Sequence, residues 1–277
     1  MYVRAKLLLT WLLPWLALSG CADVKPHEKL HSVLWMRQSA EYHASTAQAY
    51  RTATESLKQA LADPDKWPSA VEAQGPHGGK QLAVIVDVDE TVLDNSPAEV
   101  ANIKADRRAF DVEAWKQWEA KAEARAIDGA RNFLQFAASH GVAVFYVTNR
   151  FDEEAVRANL TKQQFPVDAS EDVVRLQGEC AGGDRSHDNE CRRQDIAAKN
   201  HVALLVCDDL GDFFSVQGLT VYQRLERGRA HAPRWGREWI VIPNPTYGSW
   251  ERAMYDPVND DGGTILRKKF RRLDAPN

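Results

Sequence analysis

Residues 82–97 read LAVIVDVDETVLDNSP. Its first five residues are apolar and rich in β-branched side chains, which is typical of a strand buried on both faces of a parallel sheet. The strand ends abruptly in Asp87 and Asp89, and Glu90 and Asp94 follow closely. Carboxylates packed this tightly repel one another. The sequence therefore raises the question of what compensates their charge at the end of a buried strand.

Three further apolar runs follow the first one along the chain. They are VAVFYVTN at 142–149, VALLVCDD at 202–209 and EWIVIP at 238–243. Helical stretches lie between them, at 126–141 and 192–200, and a longer one at 35–64 precedes the first strand. Strands that alternate with helices predict an α/β fold, with a parallel sheet flanked by crossover helices. The stretch 96–126 interrupts this alternation and is interpreted as a helical insertion above the sheet.

Three of the four apolar runs end in polar residues. These are Asp87 and Asp89 after the first, Thr148, Asn149 and Arg150 after the second, and Asp208, Asp209 and Asp212 after the third. The carboxyl ends of parallel strands meet at one edge of a sheet, so these side chains should converge there. Carboxylates that converge need a cation, and oxygen ligands suit Mg²⁺. The alternative is a surface-loop calcium site or an acidic turn, but the first strand lacks the spacing of an EF-hand loop.

Several motifs resemble one enzyme family. DVDET (87–91), VTNR (147–150) and DDLGDF (208–213) resemble the first, second and fourth motifs of the haloacid dehalogenase (HAD) superfamily. LDNSP (93–97), WMRQSAEYHASTAQAY (35–50) and WGREWIVIPNPTYGSWE (235–251) resemble the class C acid phosphatases, and the resemblance covers about residues 33–255. It implies a HAD-like Rossmannoid sheet with a small helical cap and an N-terminal helix. It also implies an anchored outer-membrane enzyme that hydrolyses phosphate monoesters, including nucleoside 5′-monophosphates.

The resemblance also assigns roles to individual residues. Asp87 is expected to be the nucleophile that forms an aspartyl-phosphate, and Asp89 the general acid and base. Mg²⁺ is expected to contact Asp87, the backbone carbonyl of Asp89 and Asp208, with Asp212 holding this shell in place. Thr148 and the backbone of Asn149 are expected to bind phosphoryl oxygens. Trp115 and Tyr247 match positions that sandwich a nucleobase, although both could instead be packing residues of this tryptophan-rich chain.

Two positions depart from the family pattern. The family has a lysine in its third motif, and the matching position here is Asn189. We expect Arg192, three residues on, to bind phosphate in its place, because a guanidinium is permanently charged; Arg185 is a weaker candidate. Cys207 replaces the glycine usual before the fourth motif. The missing lysine keeps a rival open, namely a catalytically impaired HAD-like lipoprotein that acts as a ligand-binding or surface protein.

The N-terminal segment predicts export and lipid anchoring. Basic residues precede an apolar run at 7–18 that is too short to span a bilayer and suits a signal peptide at 1–20. The quartet at 18–21, Leu-Ser-Gly-Cys, resembles a bacterial lipobox with Cys21 as the lipidated residue. Ala22 after the cysteine favours the outer membrane, facing the periplasm or the exterior. The alternative is an ordinary signal peptide with an incidental cysteine.

The remaining features complete the expected organisation: a tether at 21–33, the phosphatase domain at 34–255 and a basic tail at 256–277. In an extracytoplasmic compartment Cys180 and Cys191 are predicted to form a disulfide across a polar loop, rather than two free thiols, while Cys207 stays reduced in the core.

HEKLH (27–31) matches a zinc-protease signature but lies in the tether without an obvious third ligand. A net charge of -4 argues against nucleic acid as the main partner, and a homodimer is possible. The basic run 267–273 could touch anionic lipid or RNA, although a solvated terminal segment is the favoured reading.

Overall fold

The computed structural model describes residues 26–72, 74–168, 172–180 and 189–274. Its strands are β1 (Leu82–Val86), β2 (Leu93–Asp94), β3 (Arg125–Ala126), β4 (Ala143–Val147), β5 (Val174–Arg175), β6 (His201–Cys207) and β7 (Trp239–Val241). Five of them form one sheet in the order β5-β4-β1-β6-β7, in which every pair is parallel. The predicted parallel sheet is therefore confirmed. The two-residue edge strand β5 escaped prediction because it is too short to give an apolar run.

Ten α-helices lie in the described part of the chain. They are α1 (Leu30–Gln38), α2 (Ala40–Ala62), α3 (Ser96–Lys104), α4 (Val112–Glu119), α5 (Ala130–Ser139), α6 (Glu153–Lys162), α7 (Glu190–Lys199), α8 (Val221–Ala230), α9 (Ser249–Arg252) and α10 (Gly262–Arg272). Short 3-10 turns occupy Leu210–Asp212 and Ala232–Arg234. In these ranges we find no helix with the length and apolar content that a bilayer span requires.

The sheet separates two hydrophobic clusters, because successive side chains of a strand point to opposite faces. Val84 and Val86 of β1 belong to a cluster with Tyr50 of α2 and Phe133 of α5. Ile85 belongs to the other cluster, which includes Ile196 of α7 and Trp239 of β7. Burial on both faces explains why β1 and β6 are continuous apolar runs rather than alternating ones.

The N-terminal region departs from the expected single helix. Ser39 adopts extended backbone (ψ 135°) and its hydroxyl accepts a hydrogen bond from the amide of Tyr42, so it caps α2 and separates it from α1. Residues 30–33, predicted as tether, belong to α1, and Val33 is buried. The tether prediction was wrong for these four residues, because an apolar side chain that packs against the domain favours the helix over a solvated linker.

The insertion after β1 is built on a small antiparallel ladder. Strand β2 pairs with β3, and helices α3 and α4 lie between them in the chain. Asp111 caps α4 by accepting hydrogen bonds from the amides of Glu113 and Ala114. The indole of Trp118 in α4 donates to Asn95 Oδ1 at 2.7 Å, directly after β2. This contact holds α4 beside the edge of the sheet where β1 ends.

Candidate active site

Three carboxylates converge at the carboxyl edge of the sheet. Asp87 follows β1, Asp208 follows the neighbouring strand β6, and Asp212 ends the 3-10 turn behind it. Strands β1 and β6 are paired up to Val86 and Val206, so their next polar residues emerge side by side. One oxygen from each of the three carboxylates lies within 4.8 Å of the others. The parallel register therefore produces the convergence that the strand ends predicted.

The electrostatics of this group favour a bound cation. Burial raises the pKa of Asp87 well above its ordinary value, and the charges of Asp212 and Asp208 raise it further. Burial likewise raises the pKa of Asp212, and that of Asp208 to about 7. Buried carboxylates of this kind ionise only when a positive charge joins them. A donor set made entirely of oxygens fits a hard divalent cation such as Mg²⁺.

Asp208 is oriented by two neutral donors. The Thr91 hydroxyl donates to its Oδ1 at 3.2 Å, and the Asn244 amide donates to its Oδ2 at 2.8 Å. Thr91 lies in the loop after β1, and its own carbonyl accepts a hydrogen bond from the Tyr50 hydroxyl at 2.6 Å. Helix α2 thus supports the loop that holds the Asp208 carboxylate in place.

The carboxylate of Asp89 belongs to a second polar cluster. Its Oδ1 accepts hydrogen bonds from Arg150 Nε at 2.9 Å and from Asn95 Nδ2 at 2.8 Å, and Arg150 Nη2, which donates to Asn95 Oδ1, lies 2.8 Å from it as an ion pair. Its Oδ2 has one contact, with the Thr148 hydroxyl at 3.4 Å. Arg150 is only 1% exposed, whereas the Asp89 carboxylate is 17% exposed. Oδ2 is therefore the less tightly held oxygen of the Asp89 carboxylate.

The turn that separates Asp89 from β2 is conformationally demanding. Glu90 has a φ of 57°, a left-handed conformation that few non-glycine residues adopt. Its side chain is 1% exposed and accepts a hydrogen bond from the Asn95 amide at 2.8 Å. Burial, followed by the charge of Asp89, raises the pKa of Glu90 well above its usual range. The hydrogen bond between the Glu90 side chain and the Asn95 backbone therefore closes the turn and fixes the orientation of Asp89 at the end of β1.

Arg192 lies at the start of α7 and reaches the loop after β4. Its Nη1 donates to the Thr148 carbonyl at 2.6 Å, and its Nη2 donates to Asn149 Oδ1 at 2.7 Å. Nη2 also donates to Asn189 Oδ1, and the Asn189 amide in turn donates to Asp212. Asn189 therefore links the guanidinium to the acidic group. Arg192 is only 2% exposed, and burial lowers its pKa while the charges of Asp212 and Asp87 raise it.

The comparisons with known proteins agree with this arrangement. Residues 22–250 match the HAD superfamily, subfamily IIIB (acid phosphatase). The chain belongs to this family. A structure of the class C acid phosphatase from Bacillus anthracis with tungstate bound is 28% identical, with a TM-score of 0.77, and a second structure of that enzyme is 29% identical, with a TM-score of 0.76. Each alignment covers 90% of this chain and 98% of the other. The protein is thus a phosphatase with a HAD-like α/β fold.

In this phosphatase the third-motif position is occupied by Asn189, which lies in contact with Asp212. Asn189 contacts Asp212 as a neutral donor, and Arg192 brings the nearest positive charge described here to that position. Both terminal nitrogens of Arg192 donate to protein oxygens, so direct binding of phosphate by Arg192 stays a prediction. Arg185 and Cys21 lie outside the described residues.

The two aromatic residues predicted to stack on a base lie in separate elements, and both are half-buried. The Trp115 indole donates to Glu119 Oε1 at 2.6 Å, which fixes the plane of its ring, and the Arg150 guanidinium lies 5.9 Å from the ring centroid. Tyr247 follows β7, and the Lys29 ammonium lies 5.4 Å from its ring centroid. Stacking on a substrate stays a prediction.

The cysteines of the phosphatase are placed as follows. Cys180 and Cys191 are joined by a disulfide with their Cα atoms 6.0 Å apart, a normal separation for such a bond. Cys207 is a free, buried thiol whose pKa is raised first by burial and then by Asp212 and Asp87. Its side chain packs in the cluster that contains Trp239, so the residue that replaces the family's glycine extends the core.

Sequence reasoning assigned no role to four residues that support the site: Thr91, Asn95, Arg150 and Asn244. Asn95 and Arg150 stand in the quoted motifs LDNSP and VTNR, where their presence could have signalled a partner for Asp89. Asn244 lies just beyond β7, and only the strand order shows that this strand is the neighbour of β6.

Proposed function

We propose that this phosphatase is a Mg²⁺-dependent phosphomonoesterase that acts on nucleoside 5′-monophosphates through an aspartyl-phosphate on Asp87. The observation that carries the proposal is the convergence of Asp87, Asp208 and Asp212 within 4.8 Å at the edge of the sheet. A nucleophile, a cation site and a separately held acid are the parts that stepwise phosphoryl transfer needs.

In the first half-reaction, a carboxylate oxygen of Asp87 attacks the phosphorus atom. A bond forms between that oxygen and phosphorus, and the bond between phosphorus and the ester oxygen breaks. Asp89 donates its proton from Oδ2 to the leaving alkoxide, since Oδ1 is held by Arg150 and Asn95.

In the second half-reaction, Asp89 accepts a proton from a water molecule. The resulting hydroxide oxygen bonds to phosphorus, the bond from phosphorus to Asp87 breaks, and inorganic phosphate leaves. Both aspartates return to their starting forms. In both halves the Thr148 hydroxyl exchanges its 3.4 Å contact with Asp89 Oδ2 for a phosphoryl oxygen, and the Asn149 backbone amide donates to another. Arg192 fixes this loop through the Thr148 carbonyl.

The carboxylate oxygens of Asp87 and Asp208 and the backbone carbonyl of Asp89 are suitable ligands for a divalent cation, and Asp212 lies beside them. A divalent cation bound there neutralises the charge that builds up on the phosphoryl oxygens. The buried Asp208 is already oriented by Thr91 and Asn244, so its ligand oxygen is in place before the cation arrives.

A nucleotide substrate is supported by the aromatic residues at the site. Stacking on a ring such as Trp115 or Tyr247 contributes ~1–3 kcal/mol per base and tolerates different bases. The related Bacillus anthracis structure contains tungstate, a tetrahedral oxyanion with the shape of phosphate, which supports oxyanion binding by this fold. We further propose that lipidated Cys21 anchors the enzyme to the outer membrane.

The test is hydrolysis of p-nitrophenyl phosphate and of AMP by purified protein, with Mg²⁺ and after removal of divalent ions by a chelator. We expect turnover that needs the metal and a loss of nearly all activity in Asp87→Asn, with an unchanged circular dichroism spectrum. Metal-independent turnover would contradict the cation site, and substantial activity in Asp87→Asn would remove Asp87 as nucleophile. An inactive but AMP-binding wild type would favour the ligand-binding lipoprotein, the alternative that Asn189 keeps open.

A further inference from the structure

The predicted basic tail contains an amphipathic helix with an uncovered apolar stripe. Helix α10 carries five basic residues and no acidic one. Leu266, Phe270 and, just past its end, Leu273 follow one another at helical spacing and are 52%, 69% and 77% exposed. Exposed side chains of Arg267 and Arg271 lie along one flank of this stripe. Apolar residues bordered by arginines are the pattern of helices that lie in a membrane interface.

Lys269 attaches α10 to the domain, and Lys268 attaches it to the loop that precedes it. Lys269 Nζ contacts Glu28 Oε2 at 2.7 Å and Glu251 Oε1 at 2.5 Å, and Lys268 Nζ contacts Asp260 at 2.5 Å. By helical spacing, Lys269 lies on the flank of the stripe away from Arg267 and Arg271, and Lys268 lies on the back of the helix. These contacts hold the helix by one flank and by its back, and the apolar stripe stays exposed.

The ion pair between Lys269 and Glu28 also limits the distance between α10 and the proposed lipid anchor at Cys21. Glu28 lies seven residues after Cys21. Seven residues of fully extended chain span at most about 25 Å. A lipid on Cys21 therefore keeps the bilayer surface within that distance of α10. Helix α1, which begins two residues after Glu28, adds Leu30 and Leu34 as a second exposed apolar pair.

We propose that α10 lies in the interface of the anchoring bilayer, with Leu266, Phe270 and Leu273 among the acyl chains and Arg267 and Arg271 on anionic phospholipid headgroups. This proposal rests on the lipid anchor at Cys21 put forward above and is independent of catalysis. The helix holds the enzyme in one orientation on the membrane, whereas the lipid alone would leave it free to rotate.

The test uses the full-length chain, produced so that Cys21 is processed, with Leu273→Cys labelled by an environment-sensitive fluorophore. Cys207 is buried and Cys180 is paired with Cys191, so the new thiol is the reactive one among the described residues. Protein is reconstituted into phosphatidylcholine vesicles with or without phosphatidylglycerol, doped with a nitroxide-labelled quencher lipid. Tyr222→Cys, at a 62% exposed position on α8, is the matched control.

We expect quenching and a blue-shifted emission at position 273 only in vesicles that contain phosphatidylglycerol, and neither change at position 222. Arg267→Glu with Arg271→Glu should abolish the quenching at 273. Protein that floats with vesicles while position 273 stays unquenched overturns the membrane contact alone. Protein that does not float overturns the anchor and this proposal together. An emission change that follows protein density rather than lipid charge would instead assign the stripe to a second copy of the chain.

Discussion

Arg192→Ala is the substitution that probes this site most sharply. The wild-type guanidinium donates to the Thr148 carbonyl at 2.6 Å, to Asn149 Oδ1 at 2.7 Å and to Asn189 Oδ1. Hydrogen bonds to a charged group contribute about 1.5–3 kcal/mol each, and removing one partner from a buried charged network costs about 3–5 kcal/mol of stability. We therefore expect a clear fall in the midpoint of thermal unfolding.

The catalytic effect has a separate origin. Without the guanidinium, the Thr148–Asn149 backbone is no longer fixed opposite Asp87, and a positive charge near the phosphate is lost. Loss of one oxyanion-stabilising contribution reduces the rate by roughly tenfold to a thousandfold. The transition state is then destabilised by about 1.4–4 kcal/mol. The measurement is kcat/KM for a phosphomonoester at saturating Mg²⁺.

Two further variants separate positioning from charge. Arg192→Lys keeps the charge, but an ammonium cannot reproduce the geometry of the guanidinium's hydrogen bonds to three oxygens. If positioning dominates, the kcat/KM of Arg192→Lys should exceed that of Arg192→Ala by less than about tenfold. Arg234→Ala is the stability control, because its Nη1 donates to the carbonyls of Ser69 and Ala70 at 3.1 and 3.4 Å, away from the acidic group. A folded Arg192→Ala enzyme with wild-type kcat/KM would contradict a role for Arg192 at the phosphate. So would an inactive wild type that gains activity through Asn189→Lys.

Three other outcomes are expected. Trp115→Ala should lower kcat/KM for AMP by roughly 5- to 150-fold, the equivalent of ~1–3 kcal/mol of stacking, with a smaller effect on p-nitrophenyl phosphate; equal losses would indicate a packing role. Mass spectrometry of protein from the native envelope should show Cys180 linked to Cys191 and Cys207 free, and alkylation of all three without reduction would contradict this. Metal-free protein should melt at a higher temperature at about pH 5.5 than at about pH 8, because burial raises the folded-state pKa of Asp208 to about 7. Protonation below that pH thus favours the folded state, this stability is lost as the pH rises, and Mg²⁺ should restore it at about pH 8 but not at about pH 5.5.

The sequence predicted the parts of the site that depend on strand ends. Asp87 and Asp208 end adjacent parallel strands, so their meeting follows from the pairing of β1 with β6. The partners of Arg192 could not be predicted in this way, because they depend on how α7 lies against the loop after β4. The same holds for Arg150, whose side chain turns to Asp89 across a distance of 61 residues in the chain.

Local signals explain the errors at the N-terminus. Ser39 stands three residues before Tyr42, with Glu41 in the first turn of α2, and this is a usable N-cap signal inside the run that we predicted as one helix. Residues 30–33 were assigned to a tether because four residues give too little periodicity to show a buried face. Only the packing of Val33 reveals that the domain begins earlier.

The charges of the site explain how a phosphatase can work with Asn189 in place of lysine. Four carboxylates belong to the proposed machinery: Asp87, Asp89, Asp208 and Asp212. Three buried guanidiniums face them: Arg150 on Asp89, Arg192 beside Asn189, and Arg193, whose charge lowers the pKa of Asp212. Burial also raises the pKa of Glu90 and of Glu119. The guanidiniums offset part of the carboxylate charge, and a divalent cation bound at the site would offset more of it. We propose that Arg192 supplies the positive charge that the family pattern places on a lysine, since Asn189 connects Arg192 to Asp212 through hydrogen bonds.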